Sequence, residues 1–180
     1  MRGAKGKEDP IVERRNKIRG LDHDRNVAKV TLVEVPDRPG VAFAVFQALA
    51  EADINVDTIV QNVGHHRTTD LSFTIRRGDL PNAKRILEPI VRELGFRDMT
   101  TDSTMAKVAI VGAGIQNTPG YAAKMFGAMA EAGVNIEMIS TAEQRITCII
   151  AEDDLPVATR ALMKSFDIPA EGQPPAPRKP

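Results

Sequence analysis

The chain has 180 residues, with 24 basic and 24 acidic side chains and a formal net charge of zero. This balance argues against a nucleic-acid-binding protein, which normally has a basic excess or patch. Cys148 is the one cysteine, which excludes an internal disulfide, and its apolar neighbours predict a buried, inert thiol. The sequence contains no metal-binding cluster, membrane-spanning stretch or secretory signal, so we expect a cytoplasmic protein without metal or other cofactor.

The same sequence pattern occurs twice in the chain. Three segments of the first half recur in the second half: Ala-Lys-Val at 28–30 and 106–108, Pro-Gly at 39–40 and 119–120, and a nine-residue segment at 48–56 and 128–136. The offset is 78 positions for the first segment and 80 for the other two. A repeat of this length is a small domain and too long for a solenoid unit. We therefore predict an α+β fold made of two βαββαβ units with antiparallel sheets.

The first unit begins with a strand from Val27 to Val35, whose alternation puts Val30, Leu32 and Glu34 on one face. Phe96 to Thr101 is a short candidate for its last strand. Between them the hydrophobic spacing predicts these elements: a helix over 41–52, a strand over 54–63, a polar hairpin loop over 64–70, a strand over 71–75, and a helix over 80–94 that ends at Gly95.

The second unit repeats this order, and its last strand is the short candidate Phe166 to Ile168. Its other predicted elements are a strand over 108–111, a helix over 121–132, strands over 134–140 and 145–151, and a helix over 154–166 capped by Asp153 or Asp154. The two units are either sequential or interleaved, with the end of the chain completing the first sheet. Each sheet has one face without helices, so we expect a homodimer that covers it.

The ends of the chain differ from the units in composition. Residues 1–26 are dense in charge, and we expect 1–10 to be disordered and 11–26 to lie against the first unit. The tail over 169–180 is rich in proline and is predicted to be disordered. The predicted domains are therefore 27–103 and 104–168.

The turn between the first strand and the first helix is the candidate binding site. Asp37 precedes a helix whose first amides lack partners within the helix, and those amides favour an anion. Asp37 can pair with an ammonium group and Gly40 permits close backbone approach, so an amino acid fits this turn. The alternative is an ordinary turn in which Asp37 caps the helix. Asn55 and Asn135 start the second strand of each unit, where they either bind a ligand or stabilise a turn.

Catalytic motifs are missing from the sequence. It has no phosphate-binding loop, nucleophile elbow or metal triad. The glycine-rich segment 112–117 lacks the third glycine of a dinucleotide-binding fingerprint and is interpreted as a loop. The paired histidines His65 and His66 are expected to be solvated. No residue is predicted to be catalytic.

The chain closely resembles the C-terminal tandem ACT domains of bacterial aspartate kinase over residues 20–168. The resemblance is carried by these segments: Asp22 to Thr31, Pro36 to Gly40, Ala52 to Asp57, Ile59 to Val63, Thr68 to Thr74, Val111 to Gly114, Pro119-Gly120 and Val134 to Thr141. It implies two ferredoxin-like ACT domains and a feedback-regulatory function. In some bacteria the family includes a small β subunit made by internal translation initiation, and the start of this chain resembles that product or a shortened version of the enzyme.

The resemblance also implies ligands and partners. In the family the β subunit dimerises, works with a catalytic α subunit and binds threonine between the first ACT domain of one chain and the second of the other. The matching positions here are Asp37, Gly40, Val41, Ala42, Gln61, Asn135 and Ile136. A second effector site, which binds lysine in some members, matches Asp57, Ala122, Ala142 and Glu143. Alanine replaces hydroxyl residues at two of these positions, so the sequence favours threonine as the main effector.

Other functional classes fit the sequence less well. A small subunit of acetolactate synthase also has ACT-like units and would bind valine, but the segments Asp22 to Asn26 and Gln61-Asn62 argue against it. A transcriptional sensor would need a DNA-reading helix. An enzyme acting alone would need a catalytic constellation.

Overall fold

The computed structural model describes residues 18–63, 68–113, 115 and 118–169. The disorder predicted for 1–10 and for the tail beyond Pro169, the histidine pair, and parts of the hairpin and glycine-rich loops lie outside these residues. Within them the elements follow in this order: β1 (Ile18–Pro36), α1 (Val41–Glu51), β2 (Val56–Val63), β3 (Thr68–Ile75), α2 (Leu80–Leu94), β4 (Asp98–Gly112), α3 (Tyr121–Glu131), β5 (Met138–Ala142), β6 (Arg145–Ala151) and α4 (Leu155–Ser165). None of these helices is long and apolar enough to cross a membrane.

The six strands form one antiparallel sheet in the order β2–β3–β1–β4–β6–β5. The long strands β1 and β4 run through both repeat units and pair with each other along most of their length. Val27 of β1 pairs with Met105 of β4, which is its own counterpart in the repeat. The neighbouring pairs mirror one another across this point: Asp24 with Lys107, and Lys29 with Asp102. The two units are therefore related by a pseudo-twofold axis between Val27 and Met105.

The two units exchange their outer strands across this axis. Residues 18–24 of β1 pair with 107–112 of β4 and complete the sheet of the second unit, while 98–102 of β4 complete the first. The expectation that 11–26 lies against the first unit is therefore wrong for residues 18–24, whereas Arg25 and Asn26 accept hydrogen bonds from Arg77 of the first unit. The alternative of interleaved units is confirmed, but the N-terminal segment makes the exchange, and the end of the chain does not.

The predicted strand Phe166 to Ile168 is absent from the sheet. Asp167 adopts a left-handed conformation with a φ of +53°, which ends the helical region, and the Ile168 amide donates a 2.9 Å hydrogen bond to the Met163 carbonyl. Ile168 packs against the second unit's core as part of this turn. Its apolar side chain reflects this packing and not strand formation.

Each unit has its own apolar core between the sheet and two helices. Leu32, Leu49, Phe73 and Leu87 are fully buried in the first. Ile110, Met125, Met129, Ile150 and Leu162 are fully buried in the second. Burial of one such side chain contributes about 1.5–3 kcal/mol. The repeat thus produces two cores of similar construction on one continuous sheet.

A third, smaller cluster covers part of the sheet face that has no helices. Val27, Met105, Met138 and Ile149 are buried there, and Val60 of β2 packs against them. These residues come from both units, so the two halves of the sheet cover each other at this point. The uncovered face predicted from the sequence is therefore partly closed within a single chain.

Strand β1 contains a bulge that changes which side chains face the core. Pairing with β3 shifts between Leu32 and Val35, and Glu34 has a φ of +52°. Val35 is buried as a result and Glu34 is exposed, with an ion pair to Arg97. The predicted shared face of Val30, Leu32 and Glu34 is correct only for the first two residues.

Candidate functional site

The turn between β1 and α1 leaves the N-terminus of the helix open. Gly40 occupies the N-cap position with a φ of +93°, a left-handed conformation that favours glycine, and no side chain caps the helix. The Val41 amide donates to the Arg38 carbonyl at 3.5 Å, whereas the amides of Ala42 and Phe43 have no acceptor in the described part of the chain. Free amides at this end, together with the helix dipole, favour an anion.

Asp37 lies in the same turn and is exposed. The helix cap is Gly40, so the alternative in which Asp37 caps α1 is wrong. Its carboxylate forms no hydrogen bond or ion pair with any residue that the structure describes, which leaves it available to a cation. The turn therefore presents a carboxylate and unpaired amides together, and these complement the ammonium and carboxylate of an amino acid.

The remaining first-unit residues of the predicted threonine site differ in exposure. Val41 is buried in the first unit's core, whereas Ala42 is exposed. Gln61 lies on the edge strand β2, where its backbone pairs with Leu71 and its side chain is exposed. Among the described residues, no hydrogen bond or ion pair joins this group to Asn135 or Ile136.

Asn135 belongs to a chain of polar contacts that links the two units. Its side-chain amide donates a 3.1 Å hydrogen bond to Glu137, whose other carboxylate oxygen accepts one of 2.9 Å from the Lys29 ammonium. The hydrogen bond from Lys29 and its positive charge hold the pKa of Glu137 below its ordinary value. Ile136 beside it is half-buried against the second unit's core. Lys29, from the first unit, thus fixes a polar group next to a candidate ligand residue of the second.

The predicted second effector site is spread over several elements. Asp57 is the second residue of β2 and forms an ion pair of 2.7 Å with Lys107 of β4. Ala122 packs against the second unit's core, and Ala142 and Glu143 are exposed at the turn between β5 and β6. Within the described ranges, no hydrogen bond connects Asp57 with the other three residues, so one chain alone does not assemble this site by such contacts.

A small cavity of about 160 Å³ lies next to the pseudo-twofold axis, around Asp57. Its polar lining combines carboxylates, cations and amides, namely Asp24, Asn26, Asn55, Asp57, Arg76 and Lys107. Asn55, predicted from the sequence as a candidate ligand residue, lines this cavity, and its side chain forms no hydrogen bond with the residues that the structure describes. A lining of both charge signs suits a small zwitterion or ordered water.

The cross-unit lysines were missed by the sequence interpretation. Lys29 and Lys107 occupy the same position in the two copies, as do their partners Glu137 and Asp57. The sequence signal for these ion pairs was that both copies of the repeat have a lysine in the first strand and an acidic residue at the start of the second. Pairing across units cannot be derived from either copy alone, because it depends on the strand exchange.

The described part of the chain contains no group of three or more metal-ligating side chains. Cys148 is buried, which confirms the prediction, and burial raises the pKa of its thiol to about 12. A thiol with that pKa stays protonated near neutral pH and is a poor nucleophile.

Comparison with known proteins identifies the two repeat units. Residues 29–94 and residues 108–166 each match a family described as an ACT domain. The predicted ferredoxin-like ACT fold is thereby confirmed, with its antiparallel sheet and alternating helices.

The regulatory subunit of aspartate kinase from Thermus thermophilus, in its ligand-free form, has a similar structure. The TM-score is 0.80 at 40% sequence identity, over 84% of this chain and 99% of that one. The chain belongs to the aspartate kinase family. A structure of the alpha and beta subunits of aspartokinase is similar as well, with a TM-score of 0.78 and 41% identity over 84% of this chain and 99% of that one.

Aspartate kinases of full length confirm this family assignment. The enzyme of Pseudomonas fluorescens is 44% identical over 163 residues, which are 91% of this chain and 38% of that protein. Aspartokinase of Mycolicibacterium smegmatis is 42% identical over 84% of this chain and 36% of its own length. The chain thus spans little more than a third of these relatives, and the matched part consists of the regulatory ACT domains of aspartate kinase.

Proposed function

We propose that this chain is the regulatory subunit of an aspartate kinase and that it binds L-threonine at interfaces between ACT domains. The observation that carries the proposal is its match to nearly the whole regulatory subunit of the Thermus thermophilus enzyme. In this proposal the kinase reaction belongs to a separate catalytic α subunit, and this chain transmits feedback inhibition to it.

The open turn before α1 supports an amino acid as the ligand. In this proposal the unpaired amides of Ala42 and Phe43 bind the α-carboxylate, and the free carboxylate of Asp37 binds the α-ammonium. The exposed amide of Gln61 and the amide of Asn135 are candidates for binding the threonine hydroxyl. Because Asn135 lies in the other unit, we propose a homodimer in which the first unit of one chain faces the second unit of its partner.

L-Lysine is the weaker candidate for the second site. Ala122 and Ala142 offer no side-chain hydrogen-bonding group, so that site has fewer polar contacts for the ligand. Threonine can inhibit the kinase only to the extent that it binds one arrangement of the dimer better than another. Coupling of this kind is typically about 1–3 kcal/mol.

Isothermal titration calorimetry of the purified chain with L-threonine, and then with L-lysine, tests the proposal. We expect saturable threonine binding near one site per chain, because each proposed site combines the first unit of one chain with the second unit of its partner. Binding of lysine alone would move the effector to the second site. No heat with either ligand from a folded dimer would contradict the proposed function, and valine would then be the ligand to try.

A further inference from the structure

The outer surface of the second unit has an open groove between α3 and α4. Its volume is about 660 Å³. Small side chains, Gly127, Ala128 and Ala161, line it together with the exposed Val157. Three cations are also part of its lining: Lys124, Arg160 and Lys164.

The first unit provides an internal comparison, because its helices α1 and α2 correspond to α3 and α4. Gln47, Ile86 and Ile90 occupy the positions of Gly127, Ala161 and Ser165. Ile86 and Ile90 pack on the first unit's core, and Gln47 donates a 2.9 Å hydrogen bond to Glu51. Larger side chains therefore occupy the equivalent surface, so the second unit's groove does not follow from the fold alone.

The positive charges differ between the units in the same way. Ala44 and Pro89 replace Lys124 and Lys164 in the first unit, and Arg85 alone corresponds to a groove cation. Small lining residues and a cationic lining thus occur together in one copy and not in the other. The small side chains and the extra cations are two independent differences between the units, and both occur at the α3–α4 groove, which indicates that this groove binds a ligand.

The groove cations are not neutralised within the described part of the chain. Arg160 and Lys164 form no ion pair there. They lie four residues apart on α4, a spacing at which like charges repel each other. Lys124 lies 4.9 Å above the ring of Phe166, which leaves its charge in place. Glu131 is the one acidic residue in the lining. The surface therefore combines an apolar floor with a net positive charge.

The charge of the groove determines what can occupy it. The terminal segments outside the described residues do not fit, because both have a net positive charge like that of the groove. Residues 1–17 contain six basic and three acidic side chains, and residues 170–180 contain two basic side chains and one acidic side chain. An amphipathic helix with acidic flanks fits, since its apolar face fills the floor and its carboxylates pair with the cations. We propose that the α3–α4 groove binds an acidic amphipathic helix of the catalytic polypeptide. This inference depends on the proposed function.

Binding of the full chain to the catalytic polypeptide tests the inference. We would measure the dissociation constant by fluorescence anisotropy for the wild type and for Arg160→Glu/Lys164→Glu. We expect binding to weaken by about ten-fold or more and to lose much of its salt dependence. Arg85→Glu reverses the one cation of the first unit that corresponds to a groove cation, which is half the charge change of the groove variant, and should leave binding within about two-fold.

A second variant tests the shape of the groove without changing its charge. Gly127→Gln/Ala161→Ile copies the first unit's residues into the second, and a Cβ at Gly127 meets no atom within 4 Å, so the backbone tolerates it. We expect this variant to keep the wild-type midpoint of urea unfolding and to bind at least about ten-fold more weakly.

The outcomes separate this inference from the proposed function. Wild-type affinity in both groove variants would overturn the groove assignment, even if the chain binds threonine. Threonine binding with no binding of the catalytic polypeptide by the wild-type chain would also overturn it. Groove-dependent binding of that polypeptide without any response to threonine would support the groove and contradict threonine as the effector.

Discussion

The Lys29 ammonium of the first unit lies 2.9 Å from the Glu137 carboxylate of the second. The equivalent residues of the repeat, Lys107 and Asp57, form the same contact at 2.7 Å. The lysines are mostly buried, with 22% and 15% of their side-chain surface exposed. The two ion pairs stand on either side of the pseudo-twofold axis. Lys29 thus connects the first unit to the segment that carries Asn135 and Ile136, and Lys107 connects the second unit to the segment that carries Asn55.

Replacing Lys29 should destabilise the chain measurably. Lys29→Met removes the partner of a partly buried carboxylate, and we expect the free energy of unfolding to fall by about 1 kcal/mol. Urea unfolding measures this change. Lys84→Met, on the exposed surface of α2, is the matched control. An equal effect of the two substitutions would show that the cross-unit ion pair does not contribute to stability.

The ion pair should make stability depend on pH in the acidic range. Lys29 holds the pKa of Glu137 below its ordinary value of 4.5, so the contribution of this carboxylate is present above that value and is lost as the pH falls through the lower folded-state pKa. In unfolding experiments, Glu137→Gln should be less stable than the wild type at pH 7, and the difference should shrink as the pH falls from 4.5 towards the folded-state pKa. Glu93→Gln, on the exposed surface of α2, should show no such trend. A constant difference down to about pH 3 would refute the linkage.

The strand exchange predicts a role for the N-terminal segment in the second unit. A chain that begins at Val27 loses the outer strand pairing with β4, and also the ion pair of 2.6 Å between Asp22 and Arg145. We expect faster hydrogen exchange at the amides of β4 that face this strand and a lower melting temperature. A chain that begins at Lys17 keeps all of β1 and is the control. Identical exchange in the two shortened chains would contradict the exchanged-strand topology.

Gly40 should be sensitive to substitution although it is exposed and has space around it. No atom lies within 4 Å of a Cβ built there, but its φ of +93° is unfavourable for any residue with a side chain. We expect Gly40→Ala to cost about 1 kcal/mol of stability and to weaken threonine binding, because the turn that presents the free amides must shift. Gly78→Ala is the control, since this glycine has no left-handed φ and also has open space around it. Equal stability and threonine affinity in the two variants would remove Gly40 from the site.

The sequence predicted the helices well because their signals are local. Helix α2 has the predicted bounds, and Gly95 ends it with a φ of +72°. Apolar spacing and glycine position act within a few residues, so no tertiary information was needed.

The first part of β1 could not be recognised in the same way. Residues 22–26 are all exposed, so they show no alternation, and their pairing with β4 depends on backbone hydrogen bonds. The half-buried Ile18 and Leu21, which pack on the second unit's core, were the one apolar signal. The bulge at Glu34 was equally hidden, because it depends on pairing with β3.

The sequence indicated which residues are candidates for the site, but it did not indicate the contacts between them. The sequence indicated Asp37 and Gly40 through the turn chemistry, and it identified Asn135 through the repeat. The chain of contacts from Asn135 through Glu137 to Lys29 joins residues far apart in sequence. It exists only because the exchanged strands bring the two units together.

The most direct test of the proposed regulation is the inhibition of reconstituted aspartate kinase by L-threonine, with wild-type chain and with Asp37→Ala. Asp37 is exposed and unpaired within the described residues, so its removal should leave folding and assembly unchanged; Asp153→Ala is the matched surface control. We predict that threonine inhibits the enzyme with the wild type and the control, and that Asp37→Ala raises the half-inhibitory concentration by about ten-fold or more. Undiminished inhibition with Asp37→Ala would contradict the site, and no inhibition with the wild-type chain would contradict threonine as the effector.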